Sequence, residues 1–247
     1  MENTIYVGVS GQISLMRRLE AIAQNIANVN TTGFRAESLK FEQMVSPRAQ
    51  TNGEKASFVT AGKSYISTEL GSISQTGNPL DVALKGENVW LGIQTPHGVV
   101  YSRDGRMTMT PEGDLVTGRG YSYLDISGGP IQLDPKGGAP VITRQGQIYQ
   151  NGRQVASLGL YAFPEKSNLR HVDGGSAVLA DKAAQPIDDM KDVGVLQGYT
   201  ESSNVNAVVE MTRLIEVTRA FERVEAMLRT QEEQNSQAIR TLGAKSA

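Results

Sequence analysis

QNIANVNTTGFRAESLKF, residues 24–41, begins as a helix and abruptly stops being one. Ile22, Ala23 and Ile26 stand at helical spacing, but Asn28, Asn30, Thr31, Thr32 and Gly33 follow at once, and the chain turns apolar again at Phe34. Locally this reads as a helix end and a turn. Asn and Thr bond the loose carbonyls, and Gly33 ends the helix in the left-handed conformation. Phe34 then re-anchors the chain on the apolar side. Asn also presents a donor and an acceptor together, which suits it to contacts between subunits.

Upstream, residues 3–29 read as one amphipathic helix, with Ile5, Val9, Ile13, Met16, Leu19, Ile22, Ala23 and Ile26 on one face. Asn3 or Thr4 is expected to cap it. A second helix is expected from 204 to about 242, with Val205, Val208, Met211, Leu214, Ile215, Thr218, Phe221, Val224, Leu228, Ile239 and Leu242 as its stripe. Ser202, Ser203 or Asn204 would cap it and Gly243 end it. Glu216–Arg219 and Glu225–Arg229 have supportive helical spacing. At 1.5 Å per residue this helix is roughly 57 Å long. It outruns the first, so surplus apolar surface is left for another chain.

Between the helices the period changes. Residues 36–75 show no sustained pattern, carry Pro47, Gly53, Gly62 and Gly71, and read as an extended connector with one or two short strands. From 78 to 195, short apolar runs alternate with turn pairs such as Asp104-Gly105, Asn151-Gly152 and Asp173-Gly174-Gly175. Strands are expected at 80–84, 89–95, 99–103, 106–110, 115–117, 121–125, 140–143, 147–150, 154–163 and 177–180, antiparallel and without crossover helices. The fold class is therefore α+β: N- and C-terminal helices paired in a coiled-coil-like core, with a central antiparallel all-β domain. The expected layout is 1–35 as N-terminal helix, 36–75 as connector, 76–197 as β domain and 198–247 as the C-terminal helix pairing back on 1–35.

Composition excludes several classes. With 247 residues the chain can bury an ordinary core, and a net charge of −2 gives no footprint for nucleic acid or anionic membrane. There is no cysteine, so no disulfide, thiolate nucleophile or Cys-ligated zinc. No run approaches the ~20 apolar residues of a membrane span, and MENTIYVGVSGQ reads as no cleavable signal peptide. His97 and His171 read as exposed loop histidines, and Asp81, Asp104, Asp114, Asp125 and Asp134 as turn and strand-end residues. Gly118-Arg119-Gly120 closes a β turn and is no phosphate loop. No catalytic residue, metal or cofactor is expected.

Three stretches carry a family resemblance. QNIANVNTTGFR (24–35) resembles the N-terminal signature of the bacterial flagellar rod and hook family, N-N-hydrophobic-A-N-x-x-T-x-G-F-K/R. TGNPLDVALKGENVWLGIQTPHGVVYSRDGRMTMTPEGDLVTGRGYSYL (76–124) is similar to its T-G-N-P-L-D block, the Y-x-R-D/N-G strand and the D/E-G-x-L-V-T hairpin. GYTESSNVNAVVEMTRLIEVTRAFE (198–222) is similar to its G-x-x-E-x-S-N-V-x-x-V-x-E-M block. The chain departs at Trp90-Leu91, where the family has a Phe pair, and at Gln24, usually Asn.

The resemblance, closest to the proximal-rod members, implies a structural subunit that self-assembles into the helical drive shaft transmitting motor torque. The implied partners are copies of itself, other proximal and distal rod proteins, and the flagellar type III export apparatus, with no nucleic acid and no direct membrane insertion. The implied location is the basal body in the periplasm, reached without a cleaved signal peptide. Expected subunit contacts are Asn25, Asn28, Asn30, Thr31, Thr32, Gly33 and Phe34 at the first junction. On the C-terminal segment they are Asn204, Val208, Met211, Leu214, Ile215, Arg219, Phe221 and Leu228. The alternatives are a distal-rod protein of the same family or, in a different class, a β-rich peptidoglycan-binding or hydrolytic module.

Overall fold

The computed structural model describes residues 2–45, 57–172, 174–187, 191 and 193–243. Pro47, Gly53 and Asp173 of the expected connector and turn lie outside the described residues, as do the side chains of Ile5, Ile239 and Leu242. Two helices flank many antiparallel strands, so the class is mixed α+β. The chain divides into two compact units: Met1–Ile26 with Glu37–Ser64 and Ala207–Ala247, and Ala27–Ala36 with Tyr65–Asn206.

The first unit holds α1 (Glu2–Ala27), α2 (Ala207–Gly243) and a two-stranded ribbon of Glu37–Val45 with Ser57–Ile66. The expected connector, read with one or two short strands, carries two, of nine and ten residues and paired with each other. KFEQMV and SFVTAGKSYI have strand-forming residues but no clean alternation, so the period of two was hidden. The caps need correcting. α1 starts at Glu2, leaving Asn3 and Thr4 inside it, and α2 starts at Ala207, so Asn206 rather than Ser202, Ser203 or Asn204 holds the N-cap position. Ser203 Oγ accepts from Val205 N instead, inside the approach to the helix. Of the two expected helical ion pairs, Glu225–Arg229 is made at 2.9 Å.

Each helix carries two apolar stripes where the sequence reading saw one. On α2, Leu214, Val217, Phe221, Val224 and Leu228 turn inward, Val217 at 2% exposure, while Val208, Met211 and Ile215 are 74%, 53% and 54% exposed. Leu214 and Ile215 are neighbours in sequence and hence about 100° apart around the helix, too far to share a seam. On α1, Gly8, Ser14 and Ile22 are buried, whereas Val9, Ile13 and Met16 are 41%, 51% and 57% exposed. A Cβ at Gly8 would lie 2.5 Å from Leu228 Cδ2, and Asn25 Nδ2 donates to Glu210 Oε2 at 3.4 Å. Gly8 of α1 thus lies beside Leu228 of α2, and Asn25 beside Glu210.

The second unit is β-built. Its main sheet runs Leu169–His171, Ala177–Ala180, Gly98–Ser102, Trp90–Thr95, Ser122–Tyr123, Leu115–Val116, Thr108–Met109, all antiparallel. Val141–Ile142, Gln147–Gln150 and Arg153–Ser157 form a second sheet, and two short ribbons pair Gly194–Gln197 with Val82–Lys85 and Tyr199–Glu201 with Ile73–Gln75. The core between them is aliphatic: Leu84, Leu91, Leu115, Ile131, Ile148, Leu158 and Leu160 are each at most 1% exposed. The expected strand 154–163 is two strands, Arg153–Ser157 and Leu160–Ala162, in different sheets. Gly159 makes the switch; its Cβ would fall 2.6 Å from Asp125 O, a backbone approach closed to other residues. The Asn151-Gly152 turn has the expected positive φ at both residues, 51° and 73°.

The two helix stripes have separable roles. Val217→Ala should cost about 1.5 kcal/mol of folding stability in the dilute subunit, while Val208→Ala should change it by less than about 0.5 kcal/mol. Urea titration followed by helix signal checks both.

Candidate functional site

The β unit closes around one carboxylate. Glu201, 1% exposed, ends the strand Tyr199–Glu201. Its Oε2 takes Arg103 Nε at 2.8 Å and faces Arg103 Nη2 at 2.7 Å; its Oε1 faces Arg35 Nη2 at 2.7 Å and accepts from Gly71 N at 3.0 Å. Its backbone oxygen accepts from Gly33 N at 2.8 Å. Arg103 is satisfied on every side, since Gly86 O, Val89 O and Leu84 O take the rest of its donors at 2.6–2.9 Å.

Arg35 is held less completely. Its Nη2 is close to Glu201 but out of hydrogen-bond alignment, and Nε and Nη1 have no hydrogen-bond partner among the described residues. Burial lowers its pKa to about 10, helped by the Arg103 charge and opposed by Glu201 and Glu87. It remains a cation at neutral pH. Arg103 is likewise lowered by burial and held up by Glu201. Two buried guanidinium groups thus depend on one buried carboxylate, an arrangement in which losing the anion costs far more than the pair gains.

The stretch 28–36 is woven into this cluster. α1 ends at Ala27, so Gly33 does not terminate the helix as expected; it sits six residues later at φ 68°. A Cβ there would lie 2.3 Å from Arg103 C and Asp104 N, so backbone proximity and left-handed φ both demand glycine. Asn28 O accepts from Thr31 N, Asn28 Oδ1 from Thr31 Oγ1, and Asn28 Nδ2 donates to Gly174 O at 2.9 Å. Phe34, fully buried, stacks on His171 with ring centroids 4.5 Å apart, and a ring nitrogen of His171 lies 2.9 Å from Arg35 O. His171 is therefore on a strand and half-buried, not an exposed loop histidine. Asn204 ties two irregular segments: its Oδ1 accepts from Ala36 N at 2.7 Å and its Nδ2 donates to Glu69 O at 2.8 Å.

The other expected contact residues are dispersed. Asn25 is 2% exposed within the helical unit, where its amide exchanges bonds with Glu37 N and O at 2.9 Å. Thr32 is buried, Thr31 half-buried and Asn30 exposed. On α2, Val208, Met211, Ile215 and Arg219 face outward, and Leu214, Phe221 and Leu228 are half-buried. Sequence reasoning passed over Arg35, Arg103 and Glu201, although each of the three quoted blocks supplies one. The charged positions written into the three family patterns, K/R at 35, R at 103 and E at 201, were the available signal. Asp104, Asp125 and Asp134 accept from the backbone two residues on, as turn aspartates do. No group of three His, Asp or Glu suited to a metal occurs among the described residues.

Residues 5–35 match the family described as Flagella basal body rod protein, and residues 196–241 match Flagellar basal body rod FlgEFG protein C-terminal. The chain belongs to the flagellar basal-body rod protein family. It is 46% identical over 247 residues to a protein of Mesorhizobium japonicum named flagellar basal-body rod protein FlgF, covering all of both chains. It is 44% identical to the FlgF of Rhizobium meliloti, covering 98% of this chain and 99% of that one. To the flagellar basal-body rod protein FlgG of Bacillus subtilis it is 29% identical, over 94% and 96% of the two chains.

Glu201→Gln keeps the shape and removes the charge, and should destabilise the β unit by about 3–5 kcal/mol in urea melts. Gly33→Ala should lower the same unit's stability by at least ~1 kcal/mol. The Arg35 cation opposes folding, since its folded value of about 10 lies well below its ordinary one. Between those values the unfolded chain holds the extra proton, so this group's contribution to stability rises with pH. Arg35→Met should flatten that rise in melts taken across the window.

Proposed function

We infer that this chain is a structural subunit of the proximal rod of the flagellar basal body, assembling through its helices into the drive shaft that carries motor torque. One observation carries the reading. After each helix has buried one apolar stripe within its own unit, a second stripe stays in water: Val9, Ile13 and Met16 on α1, and Val208, Met211 and Ile215 on α2. Apolar surface of that kind on a helix is expected to meet another chain.

On this reading α1 and α2 pair in a coiled-coil-like core, and two contacts support it. The two contacts Gly8–Leu228 and Asn25–Glu210 are 17 residues apart on one helix and 18 on the other, or about 26 and 27 Å along antiparallel axes. On this reading the helices within 1–35 and 198–247 form the rod core, 36–75 is the connector, and 76–197 is the central β domain. Asn30, Thr31, Val208, Met211, Ile215 and Arg219 touch neighbouring subunits directly. Asn25, Asn28, Thr32, Gly33, Phe34, Asn204, Leu214, Phe221 and Leu228 hold those contacts in place. Copies of the chain and other rod proteins are its partners, reached in the periplasm through the flagellar export apparatus. The role is mechanical, and no residue turns over a substrate.

Met211→Asp with Ile215→Asp places two charges on the outer stripe. The variant should fold with an unchanged melt, be exported, and leave cells non-motile with incomplete basal bodies. Normal swimming by that variant would contradict the inference.

A further inference from the structure

Leu70 to Leu80 reads LGSISQTGNPL, eleven residues without a charge, and residues 72–79 are all exposed. Within this run Ile73–Gln75 is a strand with one partner, Tyr199–Glu201, paired antiparallel as Tyr199 with Gln75, Thr200 with Ser74 and Glu201 with Ile73. Ser202 N donates to Ser72 O, and Thr76 N to Gly198 O, both at 2.8 Å. Even-numbered residues therefore bond inward, and the backbone groups of Ile73 and Gln75 point to the other edge. The described residues place no strand there.

An edge of this kind is normally defended by lysine, proline within the strand, a bulge or an inward charge. This one is guarded only by its length of three residues, with none of those devices within Ile73–Gln75, and it adds the Leu70 and Ile73 side chains at 44% and 42% exposure. It is also held rigid. Gly71 N is bonded to buried Glu201 Oε1, and a Cβ at Gly71 would lie 1.9 Å from Ser202 O, so the strand is pressed against its partner. A strand already ordered in its binding conformation loses little entropy when a second one joins it.

We propose that the free edge of Ile73–Gln75 receives an extended backbone segment of a neighbouring rod subunit, adding a third strand to this ribbon. The chemistry selects the partner. Alternating outward N–H and C=O groups match another strand's backbone, and an uncharged run gives no purchase to an acidic or basic surface. The inference rests on the rod reading above.

Hydrogen exchange of residues 70–79 in isolated basal bodies and in the free subunit tests it. The Ile73 and Gln75 amides should slow by at least ~100-fold on assembly, as expected for amides that gain a strand partner. Gln75→Pro provides a second test. It deletes an N–H that no bond among the described residues uses, so the free protein should melt within about 2 °C of the parent. It should enter basal bodies at least ~10-fold less, as loss of a strand-edge donor predicts. If α1 and α2 become protected on assembly while Ile73 and Gln75 exchange as in the free subunit, the edge proposal fails and the rod reading stands. Full incorporation of Gln75→Pro likewise overturns the edge proposal and leaves the rod reading in place. A wild-type chain absent from basal bodies overturns both. Should Gln75→Pro fail to fold, the wild-type exchange decides alone.

Discussion

Glu201 holds the β unit together at the point where four distant parts of the chain meet. Its carboxylate pairs with both Arg103 and Arg35 and takes Gly71 N, while its carbonyl takes Gly33 N. None of these partners is near it in sequence, and Arg35 lies 166 positions away (201 − 35). A buried carboxylate is stable there only if both guanidinium groups arrive, and they are stable only if it does. The stretch 27–36 consequently clusters with the β unit rather than with the helix it continues in sequence. The Asn-Thr-Gly run is thus more than a helix end. It returns the chain to the carboxylate, with Gly33 passing Arg103 and Phe34 filling the space against His171.

How much of this could be read beforehand depended on the range of the signal. Helices announced themselves through local period, and Asn-Gly and Asp-Gly marked the turns, because those are properties of a few adjacent residues. The length and pairing of the ribbon Glu37–Val45 with Ser57–Ile66 escaped because its alternation is broken. Tyr199–Glu201 escaped because three residues before a long helix look like its approach, and only pairing with Ile73–Gln75 makes them a strand. The ion cluster was the least legible. An arginine in sequence looks solvated, and nothing local says that Arg103 is fully buried. The family patterns held the clue, since their K/R, R and E positions fall on Arg35, Arg103 and Glu201.

The helices teach a related lesson about periodicity. Grouping apolar residues at three- and four-residue steps merged two stripes on α2, because Val208–Met211–Ile215 and Leu214–Val217–Phe221 each obey the rule. Exposure separates them, with Ile215 54% exposed and Val217 2%. One stripe satisfies the subunit, and the other leaves it unfinished alone. A protein that is folded when dilute yet keeps apolar stripes in reserve suits a subunit whose environment is completed by its neighbours.

Fixation of the 27–36 stretch to the β unit through Glu201 is the constraint on which the rest depends. The Gly33 amide, which donates to Glu201 O at 2.8 Å, reports on it directly. In native-state hydrogen exchange of the free subunit, Gly33 should open only with global unfolding of the β unit, at the same free energy as core amides such as Leu84 and Ile148. If Gly33 instead exchanges like a fraying segment while Leu84 and Ile148 stay protected, the stretch is a loose tether and Glu201 does not organise the fold.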